Sequence, residues 1–204
     1  MLPSQAGGTN WAGGSLDPET GFIYLYTYTQ VVSLGLINDP ERSEMNFIRG
    51  RASEVSAREA SLSIDGIPII KPPWGRITAI DLNQGEILWQ VPHGETPDNI
   101  RDHPRLQGVD IPRTGRVGRI GTLNTKTLVI AGEGGTFTTP SGERGAMLRA
   151  YDKMTGAEVG EVYMPAAQSG SPMTYVLDGV QYIVVAVSGG GVAGELIAYR
   201  LPPE

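Results

Sequence analysis

The chain of 204 residues contains no cysteine. This absence excludes disulfide bonds, thiolate catalysis and cysteine-ligated zinc, but it leaves the compartment open, because a protein without disulfides can function in any of them. Long hydrophobic runs are also missing: the longest, YIVVAV at Tyr182–Val187, is too short to span a bilayer. The first residues, MLPSQAGGTNW, lack the basic and apolar regions of a signal peptide. We therefore predict a globular protein with no signal peptide in this chain.

Basic residues and histidines are scarce. Lysine and arginine number 16 against 22 acidic residues, a net charge of −6, so there is no basic stripe to neutralise phosphates and we expect no nucleic-acid partner. The two histidines, His93 and His103, lie in loop-like sequence without acidic residues at metal-ligand spacing. We expect both to lie at the surface, and neither has the context of a Ser–His–Asp triad.

Glycine and proline are abundant instead, with 28 and 15 residues, which predicts many tight turns and few long helices. The stretch GFIYLYTYT places Phe22, Tyr24, Tyr26 and Tyr28 on one face of a strand with period two. A short helix is predicted at Asp98–Gln107. Further strands are predicted at Arg76–Asp81, Glu86–Val91, Lys126–Ala131, Met147–Asp152, Glu158–Met164, Met173–Leu177, Gln181–Ser188 and Glu195–Leu201.

The segment Pro40–Ala60 differs from the rest because it is polar, charged and rich in serine. We interpret it as the centre of a surface insertion at about residues 33–72, with a short helix inside it as the alternative.

One phrase occurs twice. AIDLNQGEILWQV, from Ala79, and AYDKMTGAEVG, from Ala150, each set an aspartate two places after alanine and a glycine four places after that. An aspartate at a strand end accepts backbone N–H groups of the following turn, and glycine supplies the positive φ that closes it. A third copy, DPETG at Asp17–Gly21, opens the chain.

The aspartates of the three copies are 64 and 71 residues apart. In an all-β chain with hairpin turns, this recurrence predicts one four-stranded antiparallel sheet per repeat, arranged radially as a β-propeller. The chain is long enough for about two and a half to three such blades. A β-sandwich with coincidental turns is the alternative.

The repeated phrase resembles the tryptophan-docking motif of the quinoprotein dehydrogenases that use pyrroloquinoline quinone (PQQ). In that family the motif runs Ala-x-Asp-x-x-Thr-Gly-x-x-x-Trp, and its tryptophan packs against the next of eight blades. Trp89 fits the motif, Gln84 replaces its threonine, and Gly160 stands where the second copy would have tryptophan. The resemblance implies that the docking contact at Gly160 is absent or filled otherwise.

Three further stretches, KPPWGRITAIDL, LRAYDKMTG and SPMTYVLDGVQYIVVAVSGG, resemble the C-terminal blades of the membrane-type glucose and alcohol dehydrogenase branch. The resemblance implies that residues 1–204 are the C-terminal part of one eight-bladed propeller domain. The remaining N-terminal blades of the same protein would then be its partner.

The resemblance also implies site residues. TNWAGG resembles the family's PQQ-contacting Asn-Trp segment, which makes Asn10 and Trp11 the expected cofactor residues; the alternative is that Asn10 caps a turn and Trp11 lies in the core. RIGTLNT resembles another PQQ-lining segment, where the Arg119 guanidinium would pair with a PQQ carboxylate unless it is a plain surface arginine. The family's calcium ion and catalytic base are expected outside this chain.

Two other features invite a functional interpretation. Gly189–Gly194 satisfies GxGxxG, but the ten residues after it leave no room for a βαβ unit, so a turn between strands is expected. Glu133 is a lone carboxylate in the glycine-rich AGEGGTF; a solvated loop is the expected place for it, and a pocket near the ring axis is the alternative.

Two classes of function follow. The resemblance implies the C-terminal portion of a periplasmic PQQ-dependent dehydrogenase that oxidises a sugar or alcohol and passes electrons to a quinone or cytochrome. This portion alone is expected to be inactive. The alternative is a non-enzymatic propeller scaffold, like the related lipoproteins of outer-membrane assembly, which share the blade motif and bind no quinone.

Overall fold

The computed structural model describes residues 1–4, 6–50, 62–139 and 141–200. Its strands are, in chain order, β1 (Ser15–Asp17), β2 (Phe22–Tyr28), β3 (Gly35–Ile37), β4 (Ile48–Gly50), β5 (Ser63–Ile64), β6 (Ile67–Pro68), β7 (Gly75–Asp81), β8 (Glu86–Pro92), β9 (Leu123–Asn124), β10 (Leu128–Gly132), β11 (Phe137–Thr138), β12 (Arg144–Asp152), β13 (Glu158–Met164), β14 (Met173–Leu177), β15 (Val180–Gly189) and β16 (Val192–Arg200).

Helix is confined to one region of the described residues. A single α-turn, α1, spans Asp98–Arg101, and a 3₁₀ turn spans Pro104–Leu106. The short helix predicted at Asp98–Gln107 is thus confirmed as two consecutive turns. Neither is long and apolar enough to cross a membrane, and no other described segment is a helix of that kind.

Three antiparallel sheets carry the fold. The first has the strand order β1-β2-β7-β8, the second has β9-β10-β12-β13, with β11 added beside the start of β12, and the third has β14-β15-β16. One sheet of four strands, one of four strands extended by β11, and one of three strands form an open, partial β-propeller. This confirms the all-β propeller of about two and a half to three blades, and the sandwich alternative is wrong.

The aromatic strand β2 shows how sequence determines the first sheet. Tyr24, Tyr26 and Tyr28 are buried and the residues between them are partly exposed, so the period-two prediction is confirmed. These tyrosines face the second sheet and form a common core with Ile77, Ala79, Ile120, Val129, Ala131 and Tyr151. We call this contact the first joint.

The second sheet has a core on each face. Val129 and Ala131 of β10 face the first sheet, whereas Ile130 between them faces the third. The contact with the third sheet, the second joint, contains Ile130, Ala146, Leu148, Met164, Ala166, Val185 and Val187. Alternation along one strand thus makes the second sheet the middle of three adjacent blades.

The repeated Asp-to-Gly turn has the same geometry in all three copies. The glycine N–H donates to the carbonyl of the aspartate four residues earlier, and each glycine has a positive φ. The pairs are Gly21 with Asp17 (2.9 Å, φ 74°), Gly85 with Asp81 (2.8 Å, φ 72°) and Gly156 with Asp152 (2.9 Å, φ 74°). The turn predicted from the repeat is confirmed.

Trp89 makes the predicted docking contact across the first joint. Its indole Nε1 donates to the carbonyl oxygen of Lys153 in the next blade at 3.0 Å. Gly156 lies against the ring, since a Cβ placed there would be 2.7 Å from the indole. Beside it the Lys153 ammonium binds the Asp17 carboxylate at 2.7 Å, which joins the copy of the turn from Ala150 to the copy at Asp17–Gly21. This ion pair holds the pKa of Asp17 below its usual range.

Residues 29–74 leave and re-enter the first sheet at one point, because Tyr28 and Gly75 pair with each other. This segment contains two small hairpins, β3-β4 and β5-β6. The short helix considered within Pro40–Ala60 is not found in residues 40–50, and residues 51–61 lie outside the described part of the chain.

Candidate functional site

A cavity of about 460 Å³ lies where the three sheets meet. The segment before β1 contributes Trp11 and Ala12, the loops before β9 and after β10 contribute Arg119 and Gly134, and the third sheet contributes Ser188. Its remaining lining residues are Ala167, Gln168, Ser169 and Gly170. The cavity is therefore large enough for a small-molecule ligand and needs all three blades. We call it the Trp11–Arg119 cavity.

Trp11 and Asn10 have different roles in this geometry. The side chain of Trp11 is 86% exposed, so the alternative that placed it in the core is wrong. The Asn10 side chain caps its own turn: its Oδ1 accepts from Trp11 N–H at 2.7 Å, and its Nδ2 donates to the Ala6 carbonyl at 3.0 Å. Asn10 is not among the lining residues, but it fixes the backbone of one that is.

The third sheet holds the same segment from the other side. The hydroxyl of Ser171 donates to the Ala12 carbonyl at 3.0 Å. Gly121 is needed at this contact, because a Cβ there would lie 2.4 Å from Ser171 Oγ. Two independent hydrogen bonds, from Asn10 and Ser171, therefore orient the wall that carries Trp11.

Arg119 is exposed and lines the same cavity as Trp11. Its guanidinium forms no ion pair or hydrogen bond with any residue in the described ranges. Of the three cofactor residues expected from sequence, the structure brings Trp11 and Arg119 together. An unpaired cation and an exposed aromatic ring that line one cavity suit a flat anionic ligand.

The wall behind the cavity is held by Gln168. Its carboxamide accepts from Gly132 N–H at 2.5 Å and donates to the carbonyls of Gly121 (2.9 Å) and Gly170 (2.6 Å). Its backbone N–H donates to the Glu133 carbonyl at 2.9 Å. One buried glutamine thus ties the end of β10 to the third sheet, next to the lining residue Gly134.

Glu133 is not in a solvated loop, as expected from sequence; it is completely buried. Its Oε1 accepts from Arg149 Nε at 2.7 Å, and Arg149 also binds Glu158 at 2.8 Å and Glu161 at 2.5 Å. Oε2 of Glu133 is buried without a hydrogen-bond partner among the described residues. Burial raises the pKa of Glu133, and the positive charge of Arg149 opposes this effect.

His93 is likewise completely buried, so the surface position expected for it is wrong. His103 is partly exposed, which agrees with the surface position expected for it. The Nδ1 atom of His93 lies 2.8 Å from the Tyr151 hydroxyl, and its Nε2 atom lies 3.0 Å from the Gly132 carbonyl. A carbonyl only accepts, so Nε2 carries the proton and Nδ1 accepts from Tyr151. Burial lowers the pKa of His93 to about 4, which keeps the ring neutral at pH 7.

Sequence reasoning missed both buried groups because their partners are distant in sequence. Glu133 is separated by 16 residues from Arg149, and His93 by 58 from Tyr151. One signal was available: Arg149 lies in the middle of a predicted strand, where a buried cation requires an anion from a neighbouring strand.

The described residues contain no cluster of three or more histidines, cysteines, aspartates or glutamates arranged to hold a metal ion. The acidic groups around Arg149 are already engaged with that cation.

Comparisons with known proteins give one family. Residues 1–183 match the PQQ family described as the glucose/ethanol/alcohol dehydrogenase β-propeller domain. Relatives include the glycerol dehydrogenase large subunit of Gluconobacter thailandicus, 30% identical over 98% of this chain and 29% of that protein. The quinoprotein glucose dehydrogenases of Escherichia coli and Acinetobacter calcoaceticus are 30% and 27% identical, over 100% and 99% of this chain and 27% and 26% of theirs.

Among solved structures, the quinohemoprotein alcohol dehydrogenase ADHIIG of Pseudomonas putida HK5 superposes with a TM-score of 0.58 at 21% identity, over 93% of this chain and 23% of that one. This likeness shows the propeller fold. The chain spans little more than a quarter of the length of these curated relatives.

Proposed function

The chain belongs to the glucose/ethanol/alcohol dehydrogenase β-propeller family of PQQ proteins, and from this premise we propose that it forms one wall of a PQQ pocket in a larger dehydrogenase. That enzyme would oxidise a sugar or alcohol in the periplasm and pass the electrons to a quinone or cytochrome. The relatives named above are dehydrogenases, so they support the enzyme and give no support to a scaffold.

The Trp11–Arg119 cavity is the observation that supports this proposal. PQQ is a planar, fused-ring anion with three carboxylates, and the cavity combines an exposed indole with an unpaired guanidinium. A guanidinium pairs with a carboxylate through two parallel hydrogen bonds, which fixes the plane of the ligand as well as binding its charge. The donor set present therefore fits PQQ.

Each residue of the wall has a distinct task in this proposal. Arg119 binds a carboxylate, and the Trp11 ring covers an apolar face and excludes water. Asn10 and Ser171 hold the segment that carries Trp11, and Gln168 holds the wall behind Gly134. Bound PQQ supplies the two-electron oxidation of the alcohol.

The calcium ion and the base of the family would come from the remaining blades. We therefore propose that residues 1–204 alone do not oxidise glucose, ethanol or other polyols, even with PQQ and calcium supplied. Dye reduction by the purified, monodisperse 21.8 kDa chain would contradict this, and Glu133 would then be the first carboxylate to replace.

PQQ titration of the full-length apo-protein tests the pocket. Arg119→Gln should weaken PQQ binding by roughly fivefold to tenfold, the lower range for a charge-assisted contact at an exposed site. Trp11→Ala should weaken it by about tenfold through lost ring contact. Neither should change the denaturation midpoint, because both side chains are exposed.

The matched control is Arg105→Gln, an exposed arginine that pairs with Asp65 and is not among the lining residues. It should bind PQQ like the wild type. Wild-type affinity in both Arg119→Gln and Trp11→Ala would remove this cavity from the cofactor site.

A further inference from the structure

The two joints between the sheets are built on the same strand register but filled differently. In the first sheet Ala79 is flanked by Tyr24 on one side and Trp89 on the other. The two rings contact each other, with centroids 5.9 Å apart. In the second sheet the matching Ala150 is flanked by Ile130 and Gly160. Two aromatic side chains at the first joint are thus replaced by a single isoleucine at the second.

A cavity of about 620 Å³ lies at the second joint. Gly160 lines it, together with apolar side chains from both sheets, including Ile130, Leu148, Val162 and Ile183. A Cβ added to Gly160 would meet no atom within 4 Å, so the space begins at the position that holds tryptophan in the first sheet. None of the residues that line the Trp11–Arg119 cavity lines this one.

The third sheet closes part of this joint in its own way. Tyr199 of β16 donates from its hydroxyl to the Tyr163 carbonyl of β13 at 2.7 Å. This hydrogen bond holds the two sheets together without filling the space beside Gly160. The second joint is therefore held together by this hydrogen bond and still contains an open cavity.

The residues that line the cavity carry an excess of positive charge. Its acidic lining residue, Glu161, binds Arg149, and Arg149 is further neutralised by Glu133 and Glu158. The exposed cations Lys126 and Arg200 also line the cavity, and their side chains form no ion pair or hydrogen bond with the residues described. The lining therefore combines apolar side chains with two exposed, uncompensated positive charges.

We infer that the cavity at the second joint is a binding site for a small planar aromatic anion, separate from the PQQ pocket. An aromatic body of about the size of indole occupies the space that Trp89 and Tyr24 occupy at the first joint. A carboxylate on that body reaches Lys126 and Arg200. The volume lies within the range of about 300–1,000 Å³ usual for small-molecule sites.

Calorimetry with indole-3-acetate as the probe tests this site in the full-length protein, with and without saturating PQQ. One molecule should bind per chain in both conditions, so the result does not depend on the proposed cofactor pocket. Indole-3-acetamide, the neutral amide of the same body, should bind several-fold more weakly. Lys126→Ala and Arg200→Ala should each weaken the acid by about twofold to fivefold, less at high salt, as for exposed charge pairs.

Gly160→Trp fills the cavity from within and should reduce indole-3-acetate affinity at least tenfold. The backbone at Gly160 is outside the left-handed region, so the change brings no strain there. Gly160→Leu is the second variant, with a smaller loss. Gly194→Trp in β16 is the matched control: a Cβ there also meets nothing within 4 Å, but Gly194 does not line the cavity.

Loss of binding in Gly160→Trp with wild-type affinity in Gly194→Trp would support the site. No binding to the wild type, or equal affinity in Gly160→Trp, would overturn it. Equal affinities for the acid and the amide would overturn the assignment of an anion.

Discussion

The indole of Trp89 and the glycine at position 156 are in direct contact across two blades, and the same glycine closes the turn that presents the Lys153 carbonyl to the indole N–H. Trp89 therefore docks on the turn of the next motif rather than on a general apolar surface. Of the three copies in this chain, the copy from Ala79 carries the tryptophan and the copy from Ala150 supplies the turn that receives it.

Replacing Trp89 should test that contact. We expect Trp89→Ala to lower the free energy of unfolding by about 3 kcal/mol, since it removes a large packed ring and one hydrogen bond. Trp11→Ala is the control, because that ring is exposed, and should change stability by less than about 0.5 kcal/mol. Urea denaturation measures both. Trp74 is unsuitable as a control, because it is buried and its Nε1 donates to the Ile70 carbonyl. Equal midpoints for the two variants would contradict the docking role of Trp89.

Gly85 and Gly156 have the same backbone conformation, but Gly156 also contacts Trp89. Alanine substitutions at the two positions therefore distinguish the cost of backbone strain from the cost of disturbing the docking contact. Gly85 and Gly156 have φ angles of 72° and 74°, but a Cβ at Gly85 meets nothing within 4 Å. Gly85→Ala should cost about 1–2 kcal/mol, the penalty of an L side chain in the left-handed region. Gly156→Ala should cost more, because its methyl group also overlaps the Trp89 ring.

The excess cost at Gly156 should disappear when Trp89 is already alanine. Chemical denaturation of the single and double variants measures this coupling. If Gly156→Ala and Gly85→Ala are equally destabilising in the wild-type background, the indole does not press on the glycine.

Stability should fall with acid through His93. The pKa of His93 is lowered to about 4 by burial, from 6.5 in the unfolded chain. Between these values the unfolded state binds a proton that the folded state does not, so stability is complete above pH 6.5 and decreases as the pH falls towards 4. The loss attributable to His93 should reach about 3 kcal/mol.

The measurement is urea denaturation at pH 7.0, 5.5 and 4.5. The advantage of the wild type over His93→Gln should shrink by about 2 kcal/mol between pH 7.0 and pH 4.5, because the folded-state pKa of about 4 lies just below this range. His103→Gln, at the other and partly exposed histidine, is the control variant. The aspartates with lowered pKa, Asp17, Asp98 and Asp152, lose their contribution only below their usual value of 3.8. A difference between wild type and His93→Gln that is independent of pH would exclude this role.

Arg149 should be the most sensitive charged position. Arg149→Met leaves the buried Glu133 without its cation and should cost about 3–5 kcal/mol. Glu133→Gln should cost less, because Arg149 keeps Glu158 and Glu161. In the double variant the costs should not add, and the coupling energy from denaturation of all four proteins should exceed about 1 kcal/mol. Strict additivity would show that the two groups do not interact.

Local patterns predicted most of the fold. Strands β13 and β14 begin and end where the sequence predicted, because alternating residues and flanking turns are short-range signals. The Asp-to-Gly turns followed from the repeat, and the docking of Trp89 followed from the family resemblance. The last predicted strand, Glu195–Leu201, corresponds to β16 up to Arg200, and Leu201 lies outside the described residues.

The site was less predictable. That Trp11 and Arg119 share a cavity depends on three sheets meeting, which no local pattern records. The local use of the Asn10 carboxamide, bound to its own turn, was one of two alternatives that sequence left open. Glu133 and His93 were misplaced because a charged or titratable side chain looks solvated until its distant partner, Arg149 or Tyr151, is known.

Two consecutive residues behind the wall of the Trp11–Arg119 cavity, Gly132 and Glu133, are held by three different blades. His93 of the first blade binds the Gly132 carbonyl, Arg149 of the second binds Glu133, and Gln168 of the third binds both residues through their backbone. Gly134 follows directly and lines the cavity. The position of this wall therefore depends on the packing at both joints, because a small displacement between any two blades moves the wall. Affinity for the proposed cofactor should consequently report on the integrity of both joints.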